Sequence, residues 1–133
     1  MTSNKIDAKQ IAEHWNRLSA EKFTTAEGLL TLGRRSDALF FCNLALECAL
    51  KAIVTLHSND YPPYTHDLGK LVRLADLTLP AEFAEELKEI DTFNIRARYD
   101  DYKFEFYKKA TEEYTKRYFT STKELLLWLS HAQ

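Results

Sequence analysis

Glycine and proline are scarce in this chain, three of each in 133 residues. Strands joined by tight turns need more such punctuation, so the scarcity argues against sandwiches and barrels and for helices. The glycines never cluster, which excludes a phosphate-cradling Gly-rich loop. Cysteine is nearly absent: Cys42 and Cys48 stand alone, six apart in a helical pattern. Residues so spaced lie on different helix faces and do not bridge, and two free thiols fit a reducing cytosol. The four histidines, His14, His57, His66 and His131, do not pair at ligand spacing, and CxxC and HExxH are both missing. No metal site and no cofactor is therefore expected. No strand-turn-helix serine motif appears, so no catalytic residue is assigned. Residues Met1 to Gln10 are polar and lack the apolar stretch of a signal peptide. No apolar run of about 18 residues is expected to span a membrane. The expectation is a cytoplasmic protein with no membrane partner. A strong excess of one charge is missing as well: the net charge is −2. Strong nonspecific nucleic-acid binding needs a basic surface, so any nucleotide or RNA contact has to be local.

What is there is apolar and aromatic. Hydrophobic residues make up 45% and aromatics 13% of the chain, enough for one real core in a single domain spanning residues 1–133. The periodicity predicts an all-α fold with breaks near residues 33, 59–64, 79 and 100. A first helix runs from about Asn4 or Asp7 to Leu32, with Ile11, Trp15, Leu18, Ala26, Leu29 and Leu30 on one stripe. Lys22, Thr24 and Thr25 weaken that stripe midway. Gly33 ends the helix, and Ser36 or Asp37 caps the next. The second helix, Ser36 to about His57, is the most informative. Between Ala38 and Leu56 only Asn43, Glu47, Lys51 and Thr55 are polar, spaced by four along one narrow stripe. Such a helix is the centre of a bundle, or is covered by its own core and a partner chain together. Glu47 and Lys51 are placed for an i,i+4 ion pair. Asn59 to Thr65, with its paired prolines, is a loop. Thr65 caps a short third helix from His66 to about Leu77. Pro80 opens a fourth helix that buries Phe83, Leu87 and Ile90 and ends near Tyr99. A last helix from about Phe104 to Ser130 carries Tyr107, Ala110, Tyr114, Ser121, Leu125 and Trp128 on one face. Charge is sorted along the chain: Glu82 to Asp91 is acidic, whereas Arg96 to Arg117 leans basic.

Two clusters carry chemistry. Thr65-His66-Asp67-Leu68 reads either as a helix cap or as part of a site. Arg96-Ala97-Arg98-Tyr99 offers two fork-shaped donors beside a stackable ring. It suits phosphate and base recognition as well as a plain helix C-terminus.

Taken in order, Asp37-Ala38-Leu39-Phe40, then Ala45-Leu46-Glu47-Cys48-Ala49-Leu50-Lys51-Ala52, then His66-Asp67-Leu68, then Arg96-Ala97-Arg98-Tyr99 resemble a HEPN domain over about residues 7 to 130. The resemblance implies an up-and-down four-helix bundle with an additional short helix, working as a homodimer. Many HEPN proteins are RNA-cleaving toxins or defence proteins of toxin–antitoxin type, marked by an Arg followed four to six residues later by His. Here Arg96 and Arg98 are followed by no His at that spacing. The resemblance therefore implies a non-catalytic subunit that binds a nucleotide or serves a nucleotidyltransferase partner. The alternative is an RNA-cleaving protein with a divergent site, a metal-independent endoribonuclease. The expected cleft is lined by Asn43, Glu47 and Lys51, with His66, Asp67, Arg96, Arg98 and Tyr99 around it.

Overall fold

The computed structural model describes residues 6–133. It is all-α, with seven helices among the described residues: α1 (Ala8–Thr31), α2 (Arg35–Ser58), α3 (Leu68–Leu74), α4 (Ala81–Asp91), α5 (Phe93–Arg98), α6 (Asp100–Lys109) and α7 (Glu112–His131). No strand occurs among them. Asp7 caps α1 by accepting from the Gln10 amide at 3.1 Å; the alternative start at Asn4 lies outside the described residues.

The connections follow from local chemistry. Gly33 takes φ 77°, which lets the Gly33 amide reach the Leu30 carbonyl and the Arg34 amide the Leu29 carbonyl. These two bonds satisfy the carbonyls that the end of α1 leaves free. Neither Ser36 nor Asp37 caps α2: the helix begins one residue earlier at Arg35, and Arg34 occupies the cap position without a side-chain bond. The cap of α3 is Asp67, not Thr65, because the Asp67 carboxylate reaches the Lys70 amide at 3.0 Å. Thr65 instead accepts from the Asp67 amide at 3.2 Å. That helix stops at Leu74 rather than near Leu77, closed by Asp76 in the left-handed region at φ 56°.

Two predicted helices are each divided. The fourth breaks after Asp91 at Thr92, whose hydroxyl turns back on the Glu89 carbonyl. The expected break near residue 100 falls at Tyr99, and Asp100-Asp101 start the next helix, which suits acidic residues at a helix N-terminus. The last helix breaks at Ala110 and restarts under a Thr111 cap. The Ala110 carbonyl freed there is taken by Arg35 Nε at 2.7 Å. The break shifts the phase of the apolar face, so Tyr107 does not line the core with Ala110, Ser121 and Leu125; it is exposed.

At the centre lies α2, against which α1, α3, α4, α5, α6 and α7 all pack. In α1 the buried residues are small, Ala12, Ser19 and Ala26, which lets the two long helices approach closely. Ser19 donates to the Ala45 carbonyl at 2.8 Å across that contact. On the other side Leu39, Leu46, Leu50, Leu68, Ile90, Phe93, Phe106 and Leu125 form one continuous core. Contrary to expectation, one helix is long and apolar enough to cross a membrane, Arg35–Ser58, but 78% of its apolar window is buried inside the fold. Most of its apolar surface is thus buried within the chain.

Candidate functional site

The polar stripe of α2 lies inside the protein rather than on an open wall. Asn43 is fully buried and donates to the Ile90 carbonyl at 3.0 Å, tying α2 to α4; its Oδ1 has no partner. Four residues on, Glu47 Oε2 meets Lys51 Nζ at 3.0 Å, and Glu47 Oε1 meets His66 Nδ1 at 2.9 Å. A carboxylate only accepts, so Nδ1 is the donor and carries the ring proton. Burying an ion pair is tolerable only when its remaining valences are filled. His66 fills one, and two rings cover the ammonium: Lys51 Nζ is 5.1 Å from the Trp15 ring centroid and 6.0 Å from that of Tyr64. Tyr64 in turn meets the His66 ring edge-on at 5.7 Å and is 94% exposed. The last stripe residue, Thr55, returns its hydroxyl to the Lys51 carbonyl at 2.8 Å.

Asp67 stands beside this group as the α3 cap. Asp91 ties the end of α4 to the same place, accepting from the Leu68 amide at 3.0 Å. Burial raises the Asp91 pKa above the usual carboxylate range. The charges of Asp67 and Glu47 push the same way, against two backbone donors. Burial likewise pushes the Cys48 thiol up to about 11, helped by Glu47, and the Cys42 thiol to about 12. Neither thiol is a ready nucleophile.

The Arg-Tyr cluster goes elsewhere. Arg96 Nη1 bonds Glu89 Oε2 at 3.1 Å and Thr92 Oγ1 at 3.2 Å, with its guanidinium 5.5 Å from the Phe106 ring centroid. Lys109 Nζ lies 3.5 Å from the same Glu89 oxygen, and the Tyr114 hydroxyl donates to it as well. Burial raises the Glu89 pKa, but the Tyr114 hydrogen bond, the Lys109 charge and Arg96 outweigh it and hold the carboxyl below its ordinary range. Burial and the Glu89 contact push the Tyr114 phenol up. Arg98 bonds Asn94 through Nε and lies 5.1 Å over the Phe40 ring. Tyr99 joins α5 to α6 in extended backbone, with its ring exposed.

The eight residues expected to share one cleft thus fall into separate groups. Glu47, Lys51 and His66 come together, with Asp67 and Asn43 as structural neighbours. No hydrogen bond or ion pair among the described residues joins them to Arg96, Arg98 or Tyr99. Trp15, Tyr64, Asp91, Glu89, Lys109 and Tyr114 belong to these networks and were not singled out from the sequence as site residues. The one sequence signal for the Glu89 group was the sorting of charge. The acidic stretch of α4 pairs with the basic stretch after it, through Glu89 with Arg96 and Lys109 and through Glu86 with Arg117 at 2.9 Å.

A family model described as HEPN domain matches residues 12–132. Among solved structures the fold is similar to the crystal structure of TT1696 from Thermus thermophilus. The TM-score is 0.76 at 23% sequence identity, over 92% of this chain and 98% of that one. No curated protein matches the chain.

Proposed function

The chain belongs to the HEPN domain family, and from that premise we propose that it acts without catalysis, as a dimeric subunit that binds a nucleotide at the Glu47–Lys51–His66 network and serves a nucleotidyltransferase partner. One observation carries the reading: an almost fully exposed ring, Tyr64, stands over a network that ends in a histidine with one nitrogen unbonded. An exposed ring offers a base a stacking surface, and His66 Nε2 is free to meet a polar group of the same ligand. Lys51, beneath the ring, is paired with Glu47 and supports Tyr64 from below, so the ring and the His66 edge are what a ligand meets. Metal-independent RNA cleavage needs a proton carrier and an arginine on one phosphate. His66 is bound to Glu47 and Arg96 to Glu89, which supports the non-catalytic reading over that one.

Thermal-shift titration with ATP, GTP and AMP tests it. A nucleotide at a hundred times its Kd raises stability by about 2.7 kcal/mol. Tyr64→Ala removes a side chain that is 94% exposed, so the fold is kept and the shift is expected to vanish. No shift with any of the three in the folded wild type removes the nucleotide claim. RNA cleavage by the wild type that Arg96→Ala abolishes replaces the reading with the RNA-cleaving one. Co-purification with a nucleotidyltransferase encoded alongside is the check on the partner.

A further inference from the structure

Between the end of α1, the start of α2 and the first turns of α7 lies a recess of about 350 Å³. Glu112, Thr115, Lys116 and Phe119 line it from α7, at the i, i+3, i+4, i+7 spacing of one helix face. Leu30 lines it from α1, and the Phe119 ring stacks on Phe23 at 5.0 Å. Arg35 stands beside it with Nε fixed on the Ala110 carbonyl at 2.7 Å, while its two Nη groups have no partner among the described residues. Glu112 and Lys116 have the spacing of a helix ion pair, yet they do not pair. The deepest polar group is Thr115, which is 1% exposed and whose hydroxyl has no hydrogen-bond partner. Asn43 Oδ1 and Glu86 Oε2 are buried without partners too, but each of those side chains bonds through its other polar atom. The other buried threonines, Thr55 and Thr122, return their hydroxyls to the carbonyl four residues back. Thr115 does neither, and a buried hydroxyl left unmet beside a recess is a bond open to a ligand.

We propose that this recess binds a small carboxylic acid with an apolar body. The free Nη groups of Arg35 form the fork that meets both oxygens of a carboxylate. The Thr115 hydroxyl donates to the same carboxylate and so gains the partner the chain does not give it. Leu30 and Phe119 take the apolar body. Arg35 and Lys116 outnumber Glu112, so the charge of the recess favours a single anionic group. Its volume stands at the low end of the range for ligand pockets, roughly 300–1,000 Å³, which suits a compact acid over a nucleotide. Glu112 adds a choice between two kinds of acid. An ammonium beside the carboxylate, as in an apolar α-amino acid, finds a partner in Glu112; a simple acid leaves Glu112 to Lys116. The site is separate from the proposed nucleotide contact and does not depend on it. Arg35 precedes Glu47 by twelve residues on α2, roughly 18 Å along a helix that rises about 1.5 Å per residue.

Calorimetric titration of the full chain with hydrocinnamate, octanoate and phenylalanine tests the site, with hydrocinnamyl alcohol as the control that lacks a carboxylate. Hydrocinnamate is expected to bind, and the alcohol to bind about tenfold or more weakly. Arg35→Gln is expected to weaken hydrocinnamate by about tenfold or more as well. Arg35 also holds the Ala110 carbonyl, so Thr115→Val supplies a test free of that bond. It keeps the shape and removes the unmet hydroxyl. The free variant is expected to be at least as stable as the wild type, yet to bind hydrocinnamate about fivefold more weakly. Phenylalanine decides the kind of acid. Tighter binding than hydrocinnamate, lost in Glu112→Gln, assigns an amino acid; tighter binding of hydrocinnamate, kept in Glu112→Gln, assigns a simple acid. No binding of any of the three acids to the folded wild type, equal binding of the alcohol, or full affinity in Thr115→Val would each overturn the proposal. Tyr64→Ala is expected to bind hydrocinnamate like the wild type; a loss there would move the acid to the nucleotide contact and overturn it too.

Discussion

Glu47 and Glu89 each gather a cation and further donors, yet they do so in different ways. Glu47 is 8% exposed at its side chain and takes one partner from its own helix, Lys51, and one from the loop before α3, His66. Glu89 is 27% exposed and draws its partners from α5, α6 and α7. The first network is a buried crosslink inside the central helix; the second fastens the helices around it. Depth decides how much each matters. A buried charge that loses its partner has no water to turn to, whereas a half-exposed one recovers part of its solvation.

The sharpest way to break the comparison is Lys51→Ala. It leaves the Glu47 carboxylate buried with His66 alone, and a loss of about 3–5 kcal/mol is expected in chemical denaturation. Replacing both members, Glu47→Leu with Lys51→Met, is expected to recover most of that loss. Glu89→Gln keeps an oxygen for Tyr114 but loses the charge, at a cost of about 1–2 kcal/mol at neutral pH. The sign of its pH dependence is fixed. The folded-state pKa of Glu89 is lowered, so its stabilisation is present above the unfolded carboxylate pKa and is lost as pH falls through the folded value. Thermal denaturation from neutral to acid pH should therefore fall less steeply for Glu89→Gln than for the wild type. The smallest effect is expected at Asp91, where the shift is the other way. Its stabilisation is present below the unfolded pKa and lost as pH rises through the raised folded value. Asp91→Asn keeps an acceptor for the Leu68 amide. It is expected to gain a few tenths of a kcal/mol at neutral pH and nothing in acid.

The two networks were unequally legible. The Glu47–Lys51 pair follows from an i,i+4 spacing that any helix brings together. The His66 contact to it crosses a proline-containing loop whose path no local rule sets, so the sequence named the residue without its partner. For Arg96 the sequence named the side chain and missed its use. Glu89 lies seven residues earlier across the break at Thr92, Lys109 lies beyond one further helix end and Tyr114 beyond two. The same breaks explain Tyr107. Counted as one helix with α7 it belongs to the core face; after the restart at Thr111 it belongs to the solvent.

Scarce glycine and proline, 3.6-residue periodicity and a nearly apolar segment determined by themselves that the chain is helical and that α2 is covered on almost every face. These properties act through the backbone and the nearest turns. The tertiary structure alone decided that the Glu47–Lys51 pair of α2 is buried with only His66 and Tyr64 at its edge, that the arginines of α5 serve Glu89 and Asn94, and that Phe104 and Tyr107 of α6 face outward. Which polar group meets which, and which ring is left uncovered, depends on where helices far apart in sequence come to rest. That is set by packing around a shared core, and one residue more or less at a helix break reverses it.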